Sequence, residues 1–214
     1  MSYPPAWRRE YAPEAAIALI REFPFANFVT SHSGLHSTRI PFVLDTNGDR
    51  LVKFRGHLHG QNPQVADLDG RDVLITFSGR SSYISPHWRT NCDRAGTIDY
   101  EEVQVRGRVA FRPEIAFFVD LVNDLAALHE PHFTELGDYP TWHSSMAPSG
   151  YIERLFPAIC AFEVEPSSVD MTSKLHQSFP DADRRSIADH LERSSREDAR
   201  AIAAKIRGTL AADD

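Results

Sequence analysis

The sequence has little cysteine and no long apolar run. Cys92 and Cys160 are its two cysteines, and they lie far apart in no Cys-x-x-Cys pattern. Two such residues in 214 predict free thiols in a reducing compartment rather than a disulfide framework. No apolar run of about eighteen residues occurs, and residues 1–9 lack the apolar core of a signal peptide. We therefore predict a cytoplasmic protein without a membrane partner.

An excess of basic residues is also missing. The chain has 23 Lys and Arg against 30 Asp and Glu, a formal net charge of -7 and a pI of about 5.8. An acidic chain repels nucleic acid as a whole, so DNA contact would require a local basic patch. The arginine-rich tail from Asp181 carries similar numbers of acids and bases. The charge therefore does not support direct DNA binding.

The familiar catalytic signatures are absent. The sequence contains no Gly-x-Ser-x-Gly, His-Glu-x-x-His, P-loop or Gly-x-Gly-x-x-Gly pattern. Its adjacent carboxylates are more typical of solvated surface than of catalysis. His57-x-His59 could approach His32 and His36, but no spaced partner completes a metal site. We predict no catalytic residue and no metal site.

Strand-like segments dominate the middle of the chain. Alternating apolar residues and turn signals such as Asn47-Gly48 predict six or seven strands, without regular strand–helix alternation. This pattern favours a mainly β, α+β fold in which helices surround an antiparallel barrel. The predicted strands cover 25–31, 35–44, 51–59, 73–88, 100–112 and 158–165. The predicted helices cover 13–23, 113–129, 149–155, 181–193 and 196–210. Tyr3, Trp7 and Tyr11 predict an aromatic arm over the domain surface.

One stretch combines a strand pattern with potential anion donors. At a period of two residues, Val52, Phe54 and Leu58 share one face. The opposite face carries the polar residues of the stretch, which are Lys53, Arg55, His57 and His59. Several N–H donors fixed by a strand, next to a loop with free backbone N–H groups, suit a phosphate. A solvated strand face explains the same alternation equally well.

A set of aromatic residues comes from loops and strand ends rather than from a helical stripe. Its members are Tyr83, Trp88, Tyr100 and Trp142. A flat ring between such side chains would gain stacking and buried area. Together with the polar face described above, this set indicates a planar, phosphorylated ligand.

Several short motifs follow one another along nearly the whole chain. They are Gly34-Leu35, Ile40-Pro41-Phe42-Val43-Leu44-Asp45, Gly56-His57-Leu58, Asn62-Pro63-Gln64, Ser82-Tyr83-Ile84-Ser85-Pro86-x-Trp88, Tyr100-x-x-Val103-x-Val105-x-Gly107 and Lys174-Leu175-x-Gln177. In this order they resemble the PaiB-type family of FMN-binding negative transcriptional regulators. That family is part of the flavin-binding split-barrel superfamily.

The resemblance implies a fold, a cofactor and a partner. The fold would be a six-stranded antiparallel split β-barrel of the FMN-binding type over residues 1–178, with peripheral helices and a helical C-terminal extension over 179–214. The protein would be a homodimer with FMN at the subunit interface, and its role would be negative regulation of transcription. The implied cofactor-binding residues are Ser37, Thr38, Arg39, Ile40, Arg55, His57, His59, Gln61, Asn62, Tyr83 and Tyr100.

Three functions remain open alongside the regulator. A flavin-dependent oxidoreductase could use the same barrel, because the flavin supplies the redox chemistry and no protein acid or base is required. A haem-binding or haem-degrading enzyme would require a histidine ligand such as His57, His59 or His176. The third is a module that keeps the barrel for a small molecule other than FMN.

Overall fold

The structure is a computed structural model that describes residues 12–210. The predicted arm of Tyr3, Trp7 and Tyr11 lies outside these described residues. Its strands are β1 (Phe25–Thr30), β2 (His36–Pro41), β3 (Val43–Asn47), β4 (Arg50–His59), β5 (Asp72–Ile84), β6 (Thr97–Phe111) and β7 (Ile159–Lys174). Its α-helices are α1 (Pro13–Glu22), α2 (Ile115–His129), α3 (Tyr151–Leu155), α4 (Asp181–Glu192) and α5 (Glu197–Gly208). In the part of the chain described, no helix is both long and apolar enough to cross a membrane.

The strands form one antiparallel sheet in the order β2-β1-β5-β6-β7-β4-β3. The fold is a split half-barrel with helices, which confirms the predicted fold class. The described residues contain seven strands where six were expected. The extra strand arises because the predicted strand 35–44 is divided into β2 and β3.

Phe42 marks the point at which the chain changes its neighbouring strand. On one side of it Pro41 pairs with Phe25 of β1, and on the other side Val43 pairs with Arg55 of β4. The Phe42 amide donates to the Pro24 carbonyl at 2.9 Å, so its backbone stays hydrogen-bonded through the change. The Phe42 ring is fully buried. The sequence pattern of the predicted strand 35–44 continues through Phe42 because the chain is extended on both sides of it, so the pattern does not show the division.

Residues 20–77 and 104–169 form one compact unit, which we call the aromatic-core unit. Its centre is a cluster of buried phenylalanine rings with centroids 5.0 to 6.5 Å apart, formed by Phe28, Phe42, Phe54, Phe77 and Phe162. Such spacings are typical of stabilising aromatic pairs. Gly56 makes room for this cluster, because a Cβ there would lie 3.1 Å from the Phe42 ring.

Residues 12–19, 78–103 and 170–210 belong to a second compact unit, which we call the helical-hairpin unit. Helices α4 and α5 pack their apolar stripes together, and Ile187, Leu191, Ile202 and Ile206 are at most 1% exposed. This confirms the two amphipathic helices predicted for the tail. The predicted domain boundary between residues 178 and 179 stays a prediction.

Two features of the long strands bear on the sequence patterns. Gly107 lies in the clean alternation of β6, and such a bare position predicts either a bulge or a close backbone approach. The structure shows the close approach, because a Cβ there would lie 2.5 Å from the Glu165 carbonyl oxygen. Strand β7 continues nine residues beyond its expected end at residue 165, to Lys174. Pro166 and two serines hide this extension, since they resemble a strand-ending loop.

Candidate functional site

The loop after β4 meets β2 at one corner of the aromatic-core unit. The Asn62 side-chain amide donates to Thr38 Oγ1 at 3.1 Å, and Asn62 Oδ1 accepts the Gln64 backbone N–H at 2.9 Å. Asn62 thereby caps a short 3-10 turn, Pro63–Val65, while it binds β2. Two segments that the sequence analysis assigned to the cofactor site are therefore brought together.

Gln64 fixes this loop to β1, the strand that pairs with β2. It is fully buried, and its amide Nε2 donates at 3.1 Å to both the Phe28 carbonyl and Thr30 Oγ1 of β1. The expected site residues omitted Gln64 although the Asn-Pro-Gln motif contains it. A glutamine in a loop is ordinarily exposed, so only the motif could have indicated its role.

The remaining β2 residues of the expected site differ in exposure. Ser37 and Arg39 are exposed, whereas Ile40 is 7% exposed and packs in the core. The Arg39 guanidinium lies 4.5 Å from the centroid of the Phe25 ring and donates to the Phe25 carbonyl at 3.1 Å. Among the described strands β2 pairs with β1 alone, so it is an edge of the sheet. The exposed donors thus lie on an edge strand.

The polar face of β4 is engaged by carboxylates. Arg55 donates to both oxygens of Asp45 at 2.8 and 2.9 Å, and it pairs with Asp124 of α2 at 2.7 Å. Lys53 pairs with Glu163 of β7 at 3.0 Å. These carboxylates offset the positive charges of Lys53 and Arg55, which the sequence pattern predicted to be available to an anion.

His57 lies under α2. Its ring meets that of Phe118 edge-on, with centroids 5.7 Å apart. Burial lowers the pKa of His57, because desolvation disfavours the charged imidazolium. His57 is half-buried on the face opposite Phe54 and Leu58, and its role in cofactor binding stays a prediction. The part of this face formed by Arg55 and His57 is therefore covered by α2.

The end of β4 is open. His59 and Gln61 are both exposed, and the Gln61 backbone N–H donates to His59 Nδ1 at 3.2 Å. In a neutral imidazole this leaves the proton on Nε2. These two residues lie beside the loop that Asn62 and Gln64 hold.

The aromatic set of the sequence analysis is divided between the two units. Trp142 belongs to the aromatic-core unit and lines a cleft of about 680 Å³ together with Arg55, Asp120 and Asp124. Asp45 and Asp124 already pair with Arg55, so the charges at this cleft do not favour a phosphate. Tyr83 and Tyr100 belong to the helical-hairpin unit, where Tyr83 is exposed and Tyr100 half-buried. Their roles as cofactor contacts stay predictions.

The two cysteines are both free thiols, as expected. Cys92 is exposed, and its sulfur lies 3.6 Å from His87 Nδ1. Burial raises the pKa of the Cys160 thiol to about 11, since desolvation disfavours the thiolate. Cys160 is therefore an unreactive packing residue of β7.

The chain belongs to the family described as "Putative FMN-binding domain", whose model matches residues 1–168. It is 23% identical over 186 residues to the protease synthase and sporulation protein PAI 2 of Bacillus subtilis (strain 168), and the match covers 86% of each chain. Together these findings confirm the resemblance to PaiB-type, FMN-binding proteins. The cofactor of the family is FMN.

Two solved structures share the fold. The flavocytochrome Anf3 from Azotobacter vinelandii has a TM-score of 0.55 at 14% identity, over 78% of this chain and 70% of that one. The FAD and heme binding protein from Mycobacterium smegmatis has a TM-score of 0.52 at 11% identity, over 78% of this chain and 73% of that one. At these identities the likeness concerns the split-barrel fold alone.

Proposed function

We propose that the protein is a cytoplasmic homodimer of the PaiB type that binds FMN between its subunits and acts as a negative transcriptional regulator. The observation that carries the flavin site is the 3.1 Å bond between Asn62 and Thr38, which joins two expected site segments at a sheet edge. The regulatory role rests on the resemblance to PaiB-type regulators. The acidic balance of the chain favours regulation through a partner or a flavin state over autonomous DNA binding.

The donor set at this corner fits the phosphate end of a flavin nucleotide. Arg39 uses one N–H on the Phe25 carbonyl, and its guanidinium has further donors for a phosphate oxygen. The hydroxyl of Ser37 and the amide of Gln61 are exposed donors on the same two segments. Bound FMN would supply redox chemistry at its ring system. These side chains would bind and orient the nucleotide.

Residues of β4 and of the loop after it would contribute in two ways. His59 lies at the open end of the strand and Asn62 in the following loop, where they can contact the cofactor directly. Arg55 and His57 are held against α2, so within one chain they would support the site by fixing β4. Removal of either should change flavin affinity less than removal of Arg39.

Flavin titration tests this assignment. We expect the purified protein to bind FMN with a stoichiometry of one per chain, and Arg39→Ala to weaken binding about tenfold through loss of a charge-assisted contact. Arg50→Ala is the matched control, because Arg50 is also exposed in the same unit but lies at the other end of β4. Equal affinity in all three proteins would refute the site.

Four further measurements test the dimer and separate the functions. Sedimentation at several concentrations tests the dimer, and a monomer that still binds FMN fully would refute an interface site. Promoter binding by the protein with its partner, measured at defined salt, supports the regulator. FMN-dependent NAD(P)H oxidation, or a Soret band after haem addition, would replace the regulator with one of the enzymes.

A further inference from the structure

A second cleft lies within the helical-hairpin unit and has a volume of about 440 Å³. Residues from β5, β6, α4, α5 and the adjoining turns line it, among them Tyr83, Trp88, Ile98, His190, Ser194 and Arg196. The α4–α5 part lies beyond residue 168, where the family match ends. Tyr83 is also an expected cofactor contact, but neither the proposed flavin site nor the family match assigns a role to His190, Ser194 or Arg196 of this cleft.

Two stacked rings give the cleft a rigid aromatic wall. Trp88 lies on His190 with centroids 5.6 Å apart and an interplanar angle of 16°. His190 Nδ1 lies 2.7 Å from the Ser186 carbonyl, so Nδ1 carries a proton and the ring orientation is fixed. Trp88 also packs on the buried cluster between α4 and α5. Such preorganisation lowers the entropy lost when a ligand binds.

Exposed apolar side chains also line the cleft. Tyr83 is 54% exposed and Ile98 is 46% exposed, although both line a concave surface. Gly96 allows the Tyr83 ring to lie where it does, because a Cβ at Gly96 would overlap the Tyr83 hydroxyl and ring. Aromatic and apolar side chains around a cleft favour a flat, apolar ligand body.

A cation completes the cleft at the start of α5. The carboxylates that follow Arg196 in sequence are engaged elsewhere, since Arg80 pairs with Glu197 at 2.8 Å and with Asp198 at 2.9 Å. Among residues 12–210 no carboxylate pairs with Arg196. Its guanidinium is therefore available to an anion, and the Ser194 hydroxyl lies in the same turn.

We propose that this cleft binds a small planar aromatic acid. The ring would lie between Tyr83 and the Trp88–His190 wall, and the carboxylate would bind Arg196. A regulator requires an input signal, and such a ligand would supply one. The site itself does not depend on the proposed function, because its residues lie in the helical-hairpin unit and the proposed FMN corner lies in the aromatic-core unit.

Calorimetric titration with 1-naphthoate and its uncharged analogue 1-naphthamide tests the chemistry. The full-length protein, first saturated with FMN, should bind one naphthoate per chain and bind naphthamide about fivefold more weakly, as expected for one solvent-accessible charge contact. Arg196→Gln should abolish that preference. Arg193→Gln is the matched control, because Arg193 is an exposed arginine of the same helix–helix turn that does not line the cleft.

Tyr83→Ala tests the aromatic part, and circular dichroism checks that the variant remains folded. It should weaken naphthoate and naphthamide alike by about threefold to tenfold. Equal binding of the two probes by wild-type protein, or no response to Tyr83→Ala, would overturn the proposal. Competition between FMN and naphthoate would also overturn it, because the cleft would then be the flavin site. Failure of FMN to bind would refute the proposed function alone, since naphthoate binding can be measured without it.

Discussion

His57 and His176 are shielded imidazoles in different units, and they differ in what surrounds them. His57 packs against Phe118 in an apolar setting, and burial lowers its pKa. His176 places Nδ1 at 2.6 Å from Asp99 Oδ2, and the two side chains are 1% and 0% exposed. His57 is therefore shielded by an aromatic ring, whereas His176 is buried together with the carboxyl group of Asp99.

The backbone differs as well. His57 lies within the regular strand β4, but His176 has a φ of 59°, a left-handed conformation that is unfavourable for a residue other than glycine. Gln177 stabilises this turn, because its side chain accepts from the Leu175 amide at 2.8 Å and donates to the Ser173 carbonyl at 2.6 Å. Strain of this kind persists only where surrounding contacts hold it. The Asp99–His176 pair is one of those contacts.

The largest expected effect follows from removal of this pair. Asp99→Ala leaves a buried imidazole without its partner and should lower the free energy of unfolding by about 3 kcal/mol. Urea unfolding followed by circular dichroism measures the change. Asp93→Ala is the matched control because Asp93 is exposed in the preceding loop, and we expect it to change stability by less than about 0.5 kcal/mol. Equal effects of the two substitutions would remove the distinction between the histidines.

Local sequence patterns predicted the strands and helices better than they predicted which of them lie next to one another. Pro13 and Pro24 bounded the first helix correctly, since proline suits a helix start and disfavours its interior. The division at Phe42 carries no local signal, because it depends on which strand lies alongside. Alternation likewise showed that Arg55 and His57 share a face, but not that α2 would cover it.

Local sequence patterns predicted only part of the candidate cofactor site. The motif order placed Thr38 and Asn62 in one site, and the structure joins them by a hydrogen bond. The role of Gln64 and the pairing of Arg55 with Asp124 depend on contacts 34 to 69 residues apart in sequence. Composition and periodicity carry no information about such distant pairs. Charge on a strand face therefore predicts a site only after its possible ion-pair partners are known.

An intermediate effect is expected at the residue beside His57 on the same face. Arg55→Gln removes the ion pairs to Asp45 and Asp124 and leaves two carboxylates close together. Since these carboxylates are partly exposed, we expect a loss of about 1.5 kcal/mol rather than the larger loss at a fully buried pair. Urea unfolding at low and high salt measures it, and Arg50→Gln is the exposed control on the same strand. An effect as large as that of Asp99→Ala would mean that water is excluded from the Arg55 ion pairs as completely as from the Asp99–His176 pair.

The smallest effect is a pH dependence that belongs to His57. Because burial lowers its folded-state pKa below the ordinary value of 6.5, the unfolded chain takes up a proton first as the pH falls. This contribution to stability is complete above pH 6.5 and decreases below it, by at most about 1.4 kcal/mol per pH unit for one proton. His57→Leu should lose less unfolding free energy than wild type between pH 7 and pH 5. His59→Leu, at an exposed site on the same strand, is the control and should keep the wild-type slope of unfolding free energy against pH. Identical slopes in all three proteins would show that shielding by α2 does not disfavour the charged imidazolium of His57.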